Sequence, residues 1–335
     1  MTPFRQIDVA DRSTVVPYIY YGAEPICDIS FANLYGWAVQ YETSWAIGGT
    51  QTLVIRFRSP RRDHPVYLCP FCRDDNSWTM TIKELMEISE REAYPLVFMG
   101  VTPGCKERLE KLFPDEFVHI QDDDYIDYVY LREKLARLNG KKLQSKRNHI
   151  NRFEASYPDY RYLPITTDDL ERVAHFADEW LAHAEATGDA DPSLHTERKV
   201  IQRFLDNYEA LEMRGGMIEI GGEIVAFTLG SPITEDTFDV HIEKARTDID
   251  GAYTIINREF ARSIPEQYTY VNREEDLGLP GLRQAKESYR PEVRLVKHTC
   301  VWRRPDWAGE LAVSYTHLTL PTKLEWCRSR WSPYH

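Results

Sequence analysis

The segment Thr237–Lys244, TFDVHIEK, alternates in polarity. As a strand it puts Phe238, Val240 and Ile242 on one face and Asp239, His241 and Glu243 on the other. Imidazole and carboxylate are the side chains that take a proton from an attacking amine. His241 and Glu243, two residues apart on one face, are therefore candidate catalytic residues; the alternative is a pair of hydrogen-bonded sheet residues. The next segment, Arg246 to Gly251, leads into a helix signal, and the free N–H groups of a helix start suit an anion. Arg246, Gly251 and Ala252 are candidate donor-binding residues on that ground. Asp248 and Asp250 oppose an anion there and could cap the helix instead. Asn272, Glu274 and Asp276 follow a strand at the carboxyl end of a sheet, where α/β ligands gather. They could hold an ammonium, of a substrate or of Lys286, or form a solvated turn.

A basic stretch forms a fourth group. Leu131 to Glu154 carries Arg132, Lys134, Arg137, Lys141, Lys142, Lys146, Arg147 and Arg152 against Glu133 and Glu154. Leu143, Ile150 and Phe153 fall within one sector of a helical wheel, so the spacing predicts a helix seated on a narrow apolar stripe with basic flanks. Such flanks could meet the phosphates of a charged partner through Lys142, Lys146 and Arg147, or pair with acidic surfaces as a solvated joint. Cys69-Pro-Phe-Cys72 has neither a second such pair nor a nearby His pair, so it reads as reduced thiols and no metal site is expected.

The elements that must position these groups are legible as alternating signals. The first part of the chain alternates strand and helix patterns. The second reads β-α-α-β-β-β-α-β-α-β: YRYLPI, two amphipathic helices, then MIEI, EIVAFTLG and TFDVHIEK in close succession, a helix from Ala252, YTYVN, a short helix LRQAKESY and a final strand VRLVKHTCVW. This predicts an N-terminal lobe over residues 1–138, a basic linker helix over 139–156 and a C-terminal lobe over 157–312. From Val313, VSYTHLTLPT resembles the in-frame translation of a sequencing adapter, so 313–335 is expected to be an adapter-derived tail, with the natural C-terminus lost after about Ala312.

The 335 residues carry 41 Lys and Arg against 53 Asp and Glu, a net charge of −12. That acidity disfavours a protein that coats nucleic acid nonspecifically. No apolar run is long enough to span a bilayer, and the charged start MTPFRQIDVADR lacks a signal-peptide core, so a cytoplasmic chain is expected.

The element order resembles the GNAT acyltransferase fold. The segments GKKLQSKRNHINRFE, EIGGEIVAFTLG, HIEKARTDIDGAYTIINREF and NREEDLGLPGLRQAKESYRP resemble the phosphatidylglycerol lysyltransferase C-terminal-like family of tandem GNAT proteins. The resemblance implies a mixed α/β fold of two GNAT-like lobes, with the site where the TFDVHIEK strand splays from its neighbour. It implies an acyl- or aminoacyltransferase taking aminoacyl-tRNA as donor and a small-molecule, lipid or peptide amine or hydroxyl as acceptor. It also implies that Lys286 faces the site and could stabilise a developing oxyanion, with Tyr289 one turn later among the substrate-binding residues. The alternatives are a ligand-binding module without turnover and an N-acetyltransferase using acyl-coenzyme A. The family's lysyltransferases carry a membrane domain ahead of this module; none is expected here, because no apolar run in the sequence is long enough to span a bilayer.

Overall fold

The computed structural model describes residues 1–20, 24–49, 51–58, 64–121, 123–187 and 193–303. Residues 313–335, expected above to be an adapter-derived tail, lie outside the described residues. The described strands are, in chain order, β1 (Arg5–Gln6), β2 (Ser44–Gly48), β3 (Thr52–Phe57), β4 (Val66–Leu68), β5 (Val97–Val101), β6 (Phe117–Gln121), β7 (Asp127–Leu131), β8 (Arg161–Pro164), β9 (Arg214–Ile220), β10 (Glu223–Pro232), β11 (Thr237–Ala245), β12 (Tyr270–Asn272), β13 (Val293–Leu295) and β14 (His298–Trp302). They form two mixed seven-stranded sheets in an α/β architecture.

Among the described residues, the first unit comprises Met1–Glu24, Trp37–Tyr125 and residues 296–303. Its sheet runs β1-β2-β3-β4-β5-β14-β6, with β4 and β5 parallel. The helix Asp75–Glu92 starts where Asp74 Oδ1 accepts the Ser77 N–H at 2.7 Å, and it buries Trp78, Ile82, Leu85 and Met86. These pack with Val54, Tyr67, Phe98 and Phe113 into one core. Each such side chain contributes roughly 1.5–3 kcal/mol when fully buried. Cys69 and Cys72 are free thiols, and burial pushes the Cys69 thiol well above its ordinary pKa.

The second unit comprises Pro25–Gly36 and Ile126–Leu295. Its sheet runs β13-β7-β12-β11-β10-β9-β8, and β11 with β12 is its parallel pair. The expected order of elements after residue 157 is present, with two differences. The final strand signal divides: Val293–Leu295 pairs with β7, whereas His298–Trp302 lies between β5 and β6 in the first sheet. The expected lobe boundary at residue 138 is also displaced, because β7 pairs with β12 and β13 in the second sheet. Strand pairings this distant in sequence leave no local signature.

The basic segment is likewise not one linker helix. The helix Arg132–Arg137 stops at Leu138 (φ 50) and Gly140 (φ 91), and a new helix, Gln144–Ser156, follows a 3-10 turn. The stripe of Leu143, Ile150 and Phe153 is buried as expected, in the core of the second unit with Val240, Ile255, Ile256 and Phe260.

A β-bulge sets the geometry of β11. Leu229 pairs with Ile242 and Gly230 with Val240, so His241 is an extra residue with no partner position on β10. Gly230 is required opposite the bulge: a Cβ there would lie 2.2 Å from Asp239 O and 2.5 Å from the Phe238 ring. Gly230→Ala should therefore cost about 1–3 kcal/mol by overpacking, read as a lowered melting temperature. An unchanged melting temperature would mean the bulge tolerates a side chain.

Candidate functional site

The bulge separates the two residues that alternation had placed together. The His241 ring lies 5.4 Å from Phe204 of the helix Ser193–Asp206, and Lys244 pairs with Glu197 of that helix at 2.6 Å. Glu243 instead accepts from Asn257 Nδ2 of the helix Ala252–Ser263 at 3.3 Å. One inserted residue reverses the face of all that follow it. His241 and Glu243 thus lie on opposite faces of β11, contrary to the expectation from period two.

On one face, His241 is 1% exposed. Its Nε2 meets Ser231 Oγ at 2.8 Å, and its Nδ1 lies 3.2 Å from Glu274 Oε1 and 3.4 Å from Asp239 Oδ2. Asn33, from the helix Phe31–Gly36, donates to Glu274 Oε1 at 2.9 Å. Asn272 is engaged too, donating to Asp127 Oδ2 and Pro25 O and accepting from the Glu274 N–H. Asp276 is held by both Arg283 nitrogens at 2.7 and 2.9 Å, by Tyr128 Oη at 2.5 Å and by the Gly278 N–H. Three expected substrate-binding residues, Asn272, Glu274 and Asp276, thus brace the chain after β12. The donor atoms of Asp239, His241 and Glu274 lie within 4.8 Å of one another, as do those of Cys27, Asp28, Asp127 and Glu275. Among the described residues, these are the clusters with the chemistry to hold a cation.

On the other face, β11 and β12 part. They pair from Thr237 to Asp239 against Tyr270 to Asn272, and beyond Asp239 β11 continues for six residues while the other strand has ended. Glu243 sits at this splayed edge, fully buried, and burial lifts its carboxyl to about 7. Arg273 Nη2 lies 3.3 Å from Glu243 Oε1, and the Arg273 guanidinium stacks 4.8 Å from the Tyr289 ring. Lys286 is buried, which lowers its ammonium to about 7. Its Nζ donates to Arg273 O at 2.6 Å and to Glu275 O, so it pins the chain leaving β12. That binds up two of the ammonium's three hydrogens and fits a brace better than the oxyanion role expected above.

Lys146 is the residue that sequence reasoning misplaced. It was assigned to a solvated flank, yet it is 7% exposed with its Nζ 4.1 Å from the Tyr289 ring centroid. Burial lowers its ammonium to about 8, beside Arg273 and Glu243. The signal was present: 143, 146, 150 and 153 recur at three- and four-residue spacing, so Lys146 occupies the apolar stripe itself. Lys141, Lys142 and Arg152 are exposed. Arg147 Nη1 instead caps the preceding turn through Leu138 O and through Gly140 O at 2.8 Å.

The expected anion loop is occupied by protein. Arg246 is paired with Asp248 through two hydrogen bonds of 3.0 and 2.6 Å. Gly251 has φ 87, and a Cβ there would lie 3.1 Å from both His149 O and Phe153 Cβ. The helix Gln144–Ser156 thus packs against the start of the helix Ala252–Ser263, where His149 and Arg152 also meet Asp250. Ala252 is 1% exposed.

Comparison with known proteins places this geometry. The family model described as phosphatidylglycerol lysyltransferase, C-terminal, matches residues 23–301. A solved conserved protein of unknown function from Bacteroides thetaiotaomicron is 41% identical, covers 90% of this chain and 100% of its own, and superposes with a TM-score of 0.85. L-PGS from Bacillus licheniformis, 17% identical, covers 94% of this chain and 98% of its own with a TM-score of 0.63, a likeness of fold. An uncharacterized protein of Mycoplasmoides gallisepticum is 24% identical over 182 residues. That match spans 54% of this chain and 58% of the length of the curated relative. No described helix is long and apolar enough to cross a membrane.

Proposed function

We propose, for a chain that belongs to the phosphatidylglycerol lysyltransferase C-terminal family, that it transfers an aminoacyl group from a charged tRNA to an amine or hydroxyl acceptor. The observation that carries this reading is the buried carboxylate of Glu243 at the edge where β11 parts from β12. A carboxyl poised at about 7 accepts a proton at working pH and can return it. For an amine acceptor, the amine nitrogen bonds to the acyl carbon and its proton passes to Glu243. The carbonyl electron pair moves onto oxygen and returns as the ester C–O bond to the tRNA ribose breaks. Glu243 then hands the proton to the leaving ribose oxygen.

Two further observations favour a tRNA donor over coenzyme A. The start of the helix Ala252–Ser263, where a pyrophosphate would need open N–H groups, is covered by the helix Gln144–Ser156. Lys141 and Lys142 present exposed cations in the turn just before that covering helix. His241, braced on the opposite face, takes no part in the proton transfer.

The test is incubation with total tRNA charged with radiolabelled amino acids and a primary-amine acceptor, beside an acetyl-coenzyme A control that monitors thiol release. The expected result is an alkali-stable labelled amide and no thiol. Binding should weaken steeply with salt, and Lys141→Glu with Lys142→Glu should flatten that slope by roughly one unit per lost phosphate contact. Thiol release without labelled amide would replace this reading with the coenzyme A one. Ligand binding without product from either donor would favour a binding module.

A further inference from the structure

We propose that Lys146, carried by the helix Gln144–Ser156, is the cation that meets the carbonyl oxygen of the transferred acyl group as that oxygen gains negative charge. The inference rests on the acyl-transfer reading above and assigns one residue within it. Lys146 is 7% exposed, and its Nζ has no hydrogen-bond or ion-pair partner among the described residues. An ammonium largely removed from water and without a protein acceptor keeps N–H donors that an occupant carrying negative charge can satisfy.

The surroundings narrow the kind of occupant. The Tyr289 ring, itself 2% exposed, meets the ammonium by its face at 4.1 Å and offers it no lone-pair acceptor. Glu243 and Arg273 both act on Lys146 electrostatically, and Arg273 is the cation already paired with Glu243. Asn257, 4% exposed, donates to Glu243 through Nδ2, and its Oδ1 has no partner among the described residues. A cationic donor, Lys146, and an amide acceptor, Asn257 Oδ1, thus accompany a proton-accepting carboxylate. An amine attacking a carbonyl needs that set: an acceptor for its second N–H, a base for the departing proton and a donor for the oxygen. Lys286 suits the last role less well, because two of its three hydrogens hold Arg273 O and Glu275 O.

In the step as written above, nothing is added to the atom balance. The carbonyl electron pair rests on oxygen beside the Lys146 ammonium, and the lysine keeps its protons throughout. Preorganised donors of this kind act because they need no reorganisation as the charge develops.

The test has an arm that needs no turnover. Crystals soaked in iodide should show an anomalous peak in contact with Lys146 Nζ, absent in Lys146→Met. In the transfer assay, Lys146→Met should lower kcat by about 10²–10³-fold, the loss typical of one oxyanion donor, with KM little changed. Lys146→Cys alkylated with bromoethylamine rebuilds the ammonium and should recover kcat, with the alkylated wild type as control for the native thiols. An unchanged kcat in Lys146→Met overturns the assignment, as does a loss confined to KM. If the wild type transfers nothing from any charged tRNA, the aminoacyl reading falls alone: iodide beside Nζ then still supports an anion subsite, and no iodide overturns that as well.

Discussion

Replacing Glu243 with glutamine should lower the transfer rate by about 10²–10⁴-fold, the usual worth of a positioned general base. The substitution keeps an oxygen for Arg273 Nη2 and an amide-compatible neighbour for Asn257, so the melting temperature should hold within the ~2–4 °C that 1 kcal/mol moves in a chain of this size. The pH dependence follows from the same groups. Desolvation lifts Glu243 to about 7, opposed by Arg273, Asn257, Lys286 and Lys146. The wild-type rate should therefore rise as pH passes through about 7 and Glu243 loses its proton. It should fall again above about 8, where Lys146, lowered chiefly by burial, loses its charge. The two limbs belong to the coupled cluster rather than to one residue each. A rate in Glu243→Gln equal to wild type would remove the carboxylate from the chemistry.

Lys286→Met should act mainly on stability. Its Nζ is the donor to two carbonyls, Arg273 O and Glu275 O, in a segment that is buried throughout. Each acceptor left unsatisfied costs about 1–3 kcal/mol. A melting point lowered by roughly 5–15 °C follows from the usual relation between stability and melting temperature. Because Arg273 and Glu275 would lose their anchor, transfer should fall as well, but in proportion to the disordered fraction. Differential scanning calorimetry checks the first part. A fully stable, inactive Lys286→Met protein would instead return Lys286 to the chemistry as the oxyanion-stabilising group.

Much of this site was readable in the residues, and the parts that were not share a physical cause. The strand Thr237–Ala245 and the helix after it follow from local patterning. The partition of their side chains does not, because a single bulge at His241 shifts Glu243 to the other face. Periodicity assumes an unbroken ladder, and Gly230 was the sole local hint that the ladder is interrupted. Lys146 failed for a different reason: a charged residue in an apolar stripe is ordinarily a solvated flank, and only the tertiary placement of Tyr289 and Arg273 shows what it faces. Asn33 and Asp127 entered the His241 and Asn272 networks from positions more than 100 residues away. The interchange of β7 and β14 between the sheets is likewise a matter of nonlocal pairing, which residue patterns do not encode.

The account depends on β11 presenting its free edge to an activated carbonyl. The direct measurement is a crystal structure with a hydrolysis-resistant aminoacyl-tRNA mimic, an amino acid joined by an amide to 3′-amino-3′-deoxyadenosine. The predicted result places the acyl carbonyl alongside β11 beyond Asp239, with Glu243 within hydrogen-bond reach of the acceptor side. A mimic bound at any other place on the second unit, with the edge of β11 untouched, would contradict it.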